Sequence, residues 1–126
     1  MQNRIFSGAP SEEFAGYAKA VIDGTTVYVS GTLGQDENGA LPEDVASQTR
    51  NALNSIARAL SQAGAELRHA VACRVYITDG SYLKDVAIVL GEVFRDIRPT
   101  NTMLICQIPT AGAKVEIELT ASLRDA

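Results

Sequence analysis

The sequence predicts an α+β domain in which two helices pack on one face of a mixed β-sheet. Two long segments have helical spacing of apolar residues, other segments alternate apolar and polar residues, and the predicted order is β-β-α-β-α-β-β. The helices that follow the second and third strands also allow parallel crossovers, so we expect a mixed sheet. The 126 residues, without a linker or an internal repeat, predict one domain over residues 1–126.

A hairpin is predicted near the N-terminus, after a short lead. The segments YAKAVI and TTVYVSG flank Asp23-Gly24, a pair that suits a turn with both central residues at positive φ. The first long helix is then predicted from Pro42 to a stop at Gly64. Its inward-facing residues are Val45, Thr49, Ala52, Leu53, Ile56, Leu60 and Ala63.

The second half of the chain predicts three strands and a second helix. AVACRVYITDG is a strand, and the helix that follows it runs from near Ser81 to Arg98, where Pro99 prevents continuation. TMLICQI then predicts a buried strand, and KVEIELTASL gives the clearest alternation in the chain. The predicted inward-facing residues are Val71, Cys73, Val75 and Ile77; Leu83, Val86, Leu90, Val93, Phe94 and Ile97; and Val115, Ile117, Leu119 and Ala121.

Composition and charge exclude several classes of function. The net charge is -4, with 11 basic and 15 acidic residues and no dense basic block, so a nucleic-acid partner is disfavoured. No apolar run approaches the ~20 residues of a membrane helix, and the N-terminus lacks a signal peptide's apolar region. Cys73 and Cys106 lie far apart in apolar segments, which predicts buried, reduced thiols in a cytoplasmic protein and gives little support to a disulfide or metal site.

The sheet face that the helices leave uncovered allows two interpretations. It would be a solvated face, as in many antiparallel sheets, or an oligomer interface with polar pockets. Tyr and Arg are enriched at interfaces, and Ile88 and Val89 widen the apolar surface of the second helix, so we favour the oligomer. The predicted residues of this face are Tyr28, Arg74, Tyr76, Lys114, Glu116, Glu118 and Thr120.

No standard catalytic motif occurs in the sequence. The single histidine, His69, precedes a strand without a nearby partner, and no catalytic triad, phosphate-binding loop or metal motif is present. The remaining candidates lie at strand ends, where sites are usually built: Tyr17, Ser30-Gly31, Thr100-Asn101-Thr102 and Glu116. Each also has a purely structural interpretation as an edge aromatic, a turn, backbone-capping residues or a solvated strand charge.

Five segments, in order and spacing, resemble the RidA or YjgF family of reactive-intermediate imine and enamine deaminases. They are GYAKAV with GTTVYVSG, DVASQTRNALNSIARALSQAGA, CRVYITD, RPTNT and KVEIELTA. The resemblance implies a chorismate-mutase-like α+β subunit, a homotrimer and small-molecule clefts between subunits. It also implies hydrolysis of imines or enamines to keto acids and ammonia without a cofactor.

The resemblance also assigns roles to the candidate residues. It implies that Tyr17, Ser30 and Gly31 contact the substrate and that Glu116 acts on water. In a Pro-x-Arg-Ser/Thr segment the family keeps an Arg that holds the substrate carboxylate; here Asn101 occupies that position and is followed by Thr102.

Asn101 is therefore the main departure from the family pattern. An Asn offers two neutral donors where an Arg offers a charged fork, and a second departure places Leu90 where the family has an Asn near the pocket. Arg74 and Arg98 are candidate replacements for the cation. These differences indicate a branch without the anchoring Arg, and they leave two hypotheses open: a deaminase for an atypical substrate, with Glu116 as the catalytic residue, or a non-catalytic metabolite-binding trimer. Ribonuclease activity, also attached to the family, is disfavoured by the acidic charge and single His.

Overall fold

A six-stranded mixed sheet organises residues 3–124, the part of the chain that the computed structural model describes. The strands are β1 Asn3–Ile5, β2 Ala20–Asp23, β3 Thr26–Leu33, β4 Ala70–Ile77, β5 Thr100–Ile105 and β6 Val115–Ser122. The helices are α1 Pro10–Ala15, α2 Val45–Gln62 and α3 Leu83–Phe94, with short 3₁₀ turns at Leu67–His69 and Gly80–Tyr82. The strand order is β1-β2-β3-β6-β4-β5, and only the β4–β5 pair is parallel.

The α+β fold with a mixed sheet is confirmed. Helix α2 contacts β3, β6 and α3, and it covers a core of apolar side chains from the sheet. Residues 3–15 contain β1 and α1, in a segment that was predicted only as a short lead to the hairpin. The prediction therefore had the right layers but was short of one edge strand and one small helix.

The predicted hairpin is confirmed, but its turn lies one residue further along. Asp23 pairs with Thr26, so Gly24 and Thr25 form the turn. Gly24 has a φ of 62°, whereas Thr25 does not have a positive φ. Glycine at the first central position is the pattern of a type II′ turn rather than the type I′ turn that Asp-Gly suggested.

Helix α2 begins later and is shorter than predicted. Asp44 caps it by accepting a hydrogen bond of 2.9 Å from the Ser47 N–H. The predicted stripe is buried except for Ala63, which lies beyond the helix end, and the fully buried Gln48 joins it. Gln48 Nε2 donates to the carbonyls of Pro42 and Gly112, and its Oε1 accepts from the Lys114 N–H, so one side chain ties α2 to both neighbouring loops.

Strand β4 departs from the predicted alternation at its start. Cys73, Val75 and Ile77 are buried as expected, but Val71 is 47% exposed and Ala70 is buried in its place. The register against β6 shifts between Ala70 and Ala72, as a β-bulge would produce.

The second helix and the strand after it differ most from prediction. Helix α3 ends at Phe94, well before Arg98, which has a φ of 59°. Leu83 of the predicted stripe is exposed, whereas Val89, which was not in that stripe, is buried. Strand β5 begins at Thr100 and forms the sheet edge, so most of its side chains are exposed, and Cys106 is exposed as well. The predictions of a buried strand and a buried Cys106 were wrong because an edge strand has a neighbour on one side only.

Strand β6 has the predicted alternation, with Val115, Ile117, Leu119 and Ala121 buried. On the opposite face, Arg74 and the Tyr76 hydroxyl both contact the Glu118 carboxylate, the Arg74 Nε–Oε1 distance being 3.4 Å. Lys114 does not join this face: it precedes the strand, its Nζ donates to the Glu43 carbonyl, and it lies 5.5 Å from the Tyr82 ring centroid.

Candidate functional site

Five of the six predicted site residues line one of two clefts of the chain. Tyr17, Ser30, Gly31 and Glu116 line one cleft of about 530 Å³, here called the Glu116 cleft. Asn101 lines a second cleft of about 290 Å³ between α3 and β5, here called the Asn101 cleft. Thr102 is level with Arg74 in the parallel β4–β5 register, which puts it on the uncovered sheet face. One chain thus brings together four of the six predicted residues.

A β-bulge shapes the floor of the Glu116 cleft. The β3–β6 register shifts between Val29 and Thr32, which inserts one extra residue of β3 at Ser30-Gly31. A Cβ added at Gly31 would lie only 2.7 Å from Oε2 of Glu116. Glycine therefore lets the Glu116 carboxylate lie directly on the backbone of the bulge.

The surroundings of Glu116 shift the pKa of its carboxyl group upward. Burial raises the pKa of the Glu116 carboxyl, the neighbouring Glu118 raises it further, and the positive charge of Lys19 opposes both. A carboxyl group whose pKa is raised holds its proton more tightly than an exposed one, which suits it to act as a general acid or base. The arrangement can orient a water molecule or protonate a leaving amine.

Lys19 also lines the Glu116 cleft and was not predicted. Its Nζ donates a 2.6 Å hydrogen bond to Oγ1 of Thr32, and that hydroxyl donates to the Ser30 carbonyl at 2.8 Å. Burial lowers the pKa of the Lys19 amine to about 8, against the attraction of Glu12 and Glu116. The cleft therefore holds a lysine that loses its proton far more easily than an exposed one.

Glu12 is the second residue that the sequence analysis missed. It is only 5% exposed, and its carboxylate accepts hydrogen bonds from the backbone N–H and the hydroxyl of Ser7. Tyr17 follows Gly16, the residue with a φ of 77° that caps the C-terminus of α1, and the Tyr17 hydroxyl is 2.7 Å from the Ser11 hydroxyl. Helix α1 thus holds Tyr17 and Glu12 against the bulge.

The sequence contained a signal for each missed residue. Lys19 interrupts an otherwise apolar strand segment, and Pro10-Ser11-Glu12 has the pattern of a helix start. Neither pattern shows which cleft a side chain enters, because that depends on how α1 folds back on β3.

The Asn101 cleft is lined mainly by apolar side chains and by two basic ones. Leu90, Phe94 and Met103 line it together with Asn101, Arg95 and Arg98. The Arg98 guanidinium is anchored by a 2.6 Å hydrogen bond from its Nε to the Arg95 carbonyl. Of the two candidate replacement cations, Arg98 shares this cleft, whereas Arg74 faces Glu118 on the uncovered sheet face.

Within residues 3–124 no helix has the length and apolarity required to cross a membrane. In the same range, no three His, Cys, Asp or Glu residues are grouped so that they could hold a metal ion.

The fold and the Glu116 cleft define the chain as a small α+β protein with a polar cleft beside a β-bulge. Comparison with known proteins shows the family to which it belongs. A family model described as Endoribonuclease L-PSP matches residues 8–123. The chain belongs to this family, which is the YjgF/RidA family that the sequence resembled.

Individual relatives agree with this assignment. The 2-iminobutanoate/2-iminopropanoate deaminase of Bos taurus is 31% identical over 94% of this chain and 88% of its own length. The structure of Rv2704 from Mycobacterium tuberculosis, a member of the YjgF/YER057c/UK114 family, is 38% identical, with a TM-score of 0.90 over 97% of this chain and 99% of that chain. The protein SCO2049 of Streptomyces coelicolor is 30% identical over 82% of this chain and 78% of its own length.

Proposed function

We propose that the protein is a cofactor-free deaminase that hydrolyses reactive imines or enamines to carbonyl compounds and ammonia. Glu116 is the catalytic residue, and Tyr17, Ser30 and Gly31 hold the substrate. The supporting observation is the Glu116 carboxyl itself, which lies on the Gly31 backbone with a raised pKa in a cleft large enough for a small metabolite. The deaminase name of a relative that is 31% identical supports the same reaction class.

We further propose that the substrate is atypical and that the chain represents a family branch without the anchoring Arg. Asn101 and Leu90, which replace polar family residues in the resemblance, line one cleft. A charge-assisted hydrogen bond is roughly twice as strong as a neutral one, so the change from Arg to Asn weakens the binding of 2-imino acids by about 2 kcal/mol, or ~30-fold. A substrate without a carboxylate at the usual place would not suffer this loss.

We propose the homotrimer that the family resemblance implies, and its support is that the two clefts of one chain are far apart. Asn101 pairs with Cys73, Cys73 with Leu119, and Leu119 with Val29, so Asn101 and the β3 bulge are separated by about three strand spacings, or ~14 Å. Asn101 and Thr102 can contact a substrate beside Glu116 if they come from a neighbouring subunit. The proposed partners are thus further copies of this chain and a small metabolite in the cytoplasm, and neither a nucleic acid nor a membrane.

The first experiment measures turnover of 2-iminopropanoate generated in situ, by the rate of pyruvate formation. We expect a measurable rate that is at least ~30-fold below that of a family member that keeps the Arg, because the anchoring charge is missing. Glu116→Gln should abolish the rate, and Glu92→Gln, which alters an exposed carboxylate on α3, should leave it unchanged. A rate equal to that of the Arg-bearing relative and unaffected by Glu116→Gln would contradict the mechanism.

The alternative is a non-catalytic metabolite-binding trimer. The apolar wall around Asn101 favours it, because a neutral ligand would be held there without the polarisation that hydrolysis requires. Native mass spectrometry after incubation with a panel of imines and keto acids distinguishes the two functions. A ligand that is retained in stoichiometric amount and released unchanged supports the binding protein, whereas release of the hydrolysed product supports the deaminase.

A further inference from the structure

The amine of Lys19 points to a covalent step in the Glu116 cleft. A protonated lysine has three donors, and within residues 3–124 Nζ of Lys19 makes one hydrogen bond, to the Thr32 hydroxyl at 2.6 Å. The Thr32 hydroxyl donates its own proton to the Ser30 carbonyl, so toward Lys19 it acts only as a hydrogen-bond acceptor. None of the ion pairs formed within residues 3–124 includes Lys19. The amine thus retains bonding capacity toward the cleft.

Burial also makes this amine available in its neutral, nucleophilic form. With a pKa of about 8, half of the Lys19 amine is neutral at pH 8, whereas less than about 1% of an exposed lysine with a pKa near 10.4 is neutral there. Desolvated lysines of this kind form Schiff bases with carbonyl substrates. Glu116 in the same cleft supplies the acid and base that such additions require.

We propose that Lys19 is a covalent catalytic residue whose ε-amine adds to the C=N or C=O carbon of small imines and carbonyl compounds bound in the Glu116 cleft. This inference rests on the proposed deaminase function and deepens it, because it names the atom that attacks the substrate. It also explains how the chain could bind its substrate without the anchoring Arg: the covalent bond replaces that contact.

The chemistry balances in two steps. In the first, the neutral amine of Lys19 adds to the carbon of a protonated imine R₂C=NH₂⁺ and forms a new C–N bond. The bond from that carbon to the original nitrogen then breaks, ammonia leaves, and the lysine becomes a protonated Schiff base. In the second, water adds to that Schiff base, the carbon–lysine bond breaks, and the products are R₂C=O and protonated Lys19. Glu116 accepts protons from the attacking water and returns them to the departing lysine amine. Protonated Lys19 then transfers one proton to ammonia, which restores the neutral lysine.

The test traps the Schiff base by reduction. The native protein is incubated at pH 8 with cyanoborohydride and either pyruvate or propanal, and the adducts are located by peptide mapping. Lys84 and Lys114, the other two lysines of the sequence, are internal controls, and mapping separates Lys19 from the α-amino group, whose ordinary pKa is also near 8. We expect Lys19 to be modified roughly tenfold or more faster than Lys84 and Lys114 with at least one probe, because far more of it is neutral. Equal modification of the three lysines, or none at Lys19, would overturn the proposal.

Two variants separate this inference from the deaminase function. Lys19→Arg keeps the charge and removes the reactive amine, so we expect it to lose both trapping and turnover, while Lys84→Arg retains both. If Lys19→Arg hydrolyses the imine at the native rate, the covalent step is wrong and the deaminase function stands. If the native protein is trapped at Lys19 but turns over no imine, the reactive amine stands and the deaminase function fails.

Discussion

At the scale of single residues, Lys19 connects the candidate site to the pH dependence of folding. Its pKa falls from 10.5 in the unfolded chain to about 8 in the folded one, so the folded state releases this proton first as the pH rises. Between about pH 8 and 10.5 the unfolded chain binds more protons, and the free energy of unfolding therefore increases with pH in this window. The half-buried lysine lowers stability at neutral pH.

We predict that Lys19→Met removes this increase. The difference between the native protein and the variant should change by roughly 1–3 kcal/mol between pH 7 and pH 10, after allowance for the partial exposure of the amine. Urea unfolding at both pH values measures it, and Lys84→Met serves as the exposed control. Parallel stability curves for native and Lys19→Met proteins would show that Lys19 does not have a lowered pKa.

The residues of the Glu116 cleft also show what the sequence could predict. Tyr17, Ser30, Gly31 and Glu116 were named beforehand and lie together, although their roles stay predictions. Lys19 and Glu12 were missed because burial of a charged side chain depends on the loop that covers it. Alternation along a strand predicts the face on which a residue lies, but not the element packed against it.

At the scale of elements, Gln48 determines how α2 is joined to the sheet. Its side chain makes three hydrogen bonds to backbone groups, one in the loop before α2 and two in the loop before β6, and it is fully buried. We predict that Gln48→Leu lowers the free energy of unfolding by roughly 2–4 kcal/mol, because these backbone groups lose their partner in the interior. Gln62→Leu, the same change at an exposed position of α2, should cost less than about 0.5 kcal/mol. Equal midpoints for the two variants in urea would contradict this assignment.

Strands were predicted well where apolar and polar residues alternate clearly along the sequence. Strand β6 shows the expected alternation because it lies in the middle of the sheet, between β3 and β4. Strand β5 was predicted to be buried from its apolar composition alone, and it is the edge strand. An apolar sequence does not distinguish burial within one chain from burial between subunits. The sequence therefore did not predict that Leu104 and Ile105 are 52% and 63% exposed in the single chain.

At the scale of the whole molecule, the layers of the fold followed from the sequence, whereas the assembly did not. The order of the elements predicted the helices on one face and the mixed sheet, since short connections leave few topologies. The placement of β6 between β3 and β4, which brings Glu116 beside the β3 bulge, is a non-local pairing that no local pattern reveals. The uncovered sheet face, with Tyr28 and Leu104 half exposed, is the surface that an oligomer would bury.

The trimer is tested on that face. Leu104 is level with Tyr76 in the β4–β5 register and is 52% exposed, so in a monomer its replacement by a charge would cost little. We predict that light scattering and native mass spectrometry give three chains of 13.4 kDa for the native protein, and a single folded chain for Leu104→Glu, because a carboxylate would be buried between subunits. Leu83→Glu, at a 51% exposed position on α3, should remain trimeric.

If the clefts require two subunits, Leu104→Glu loses deaminase turnover together with the trimer. A native monomer that turns over the imine would place the complete site within one chain and remove Asn101 from it.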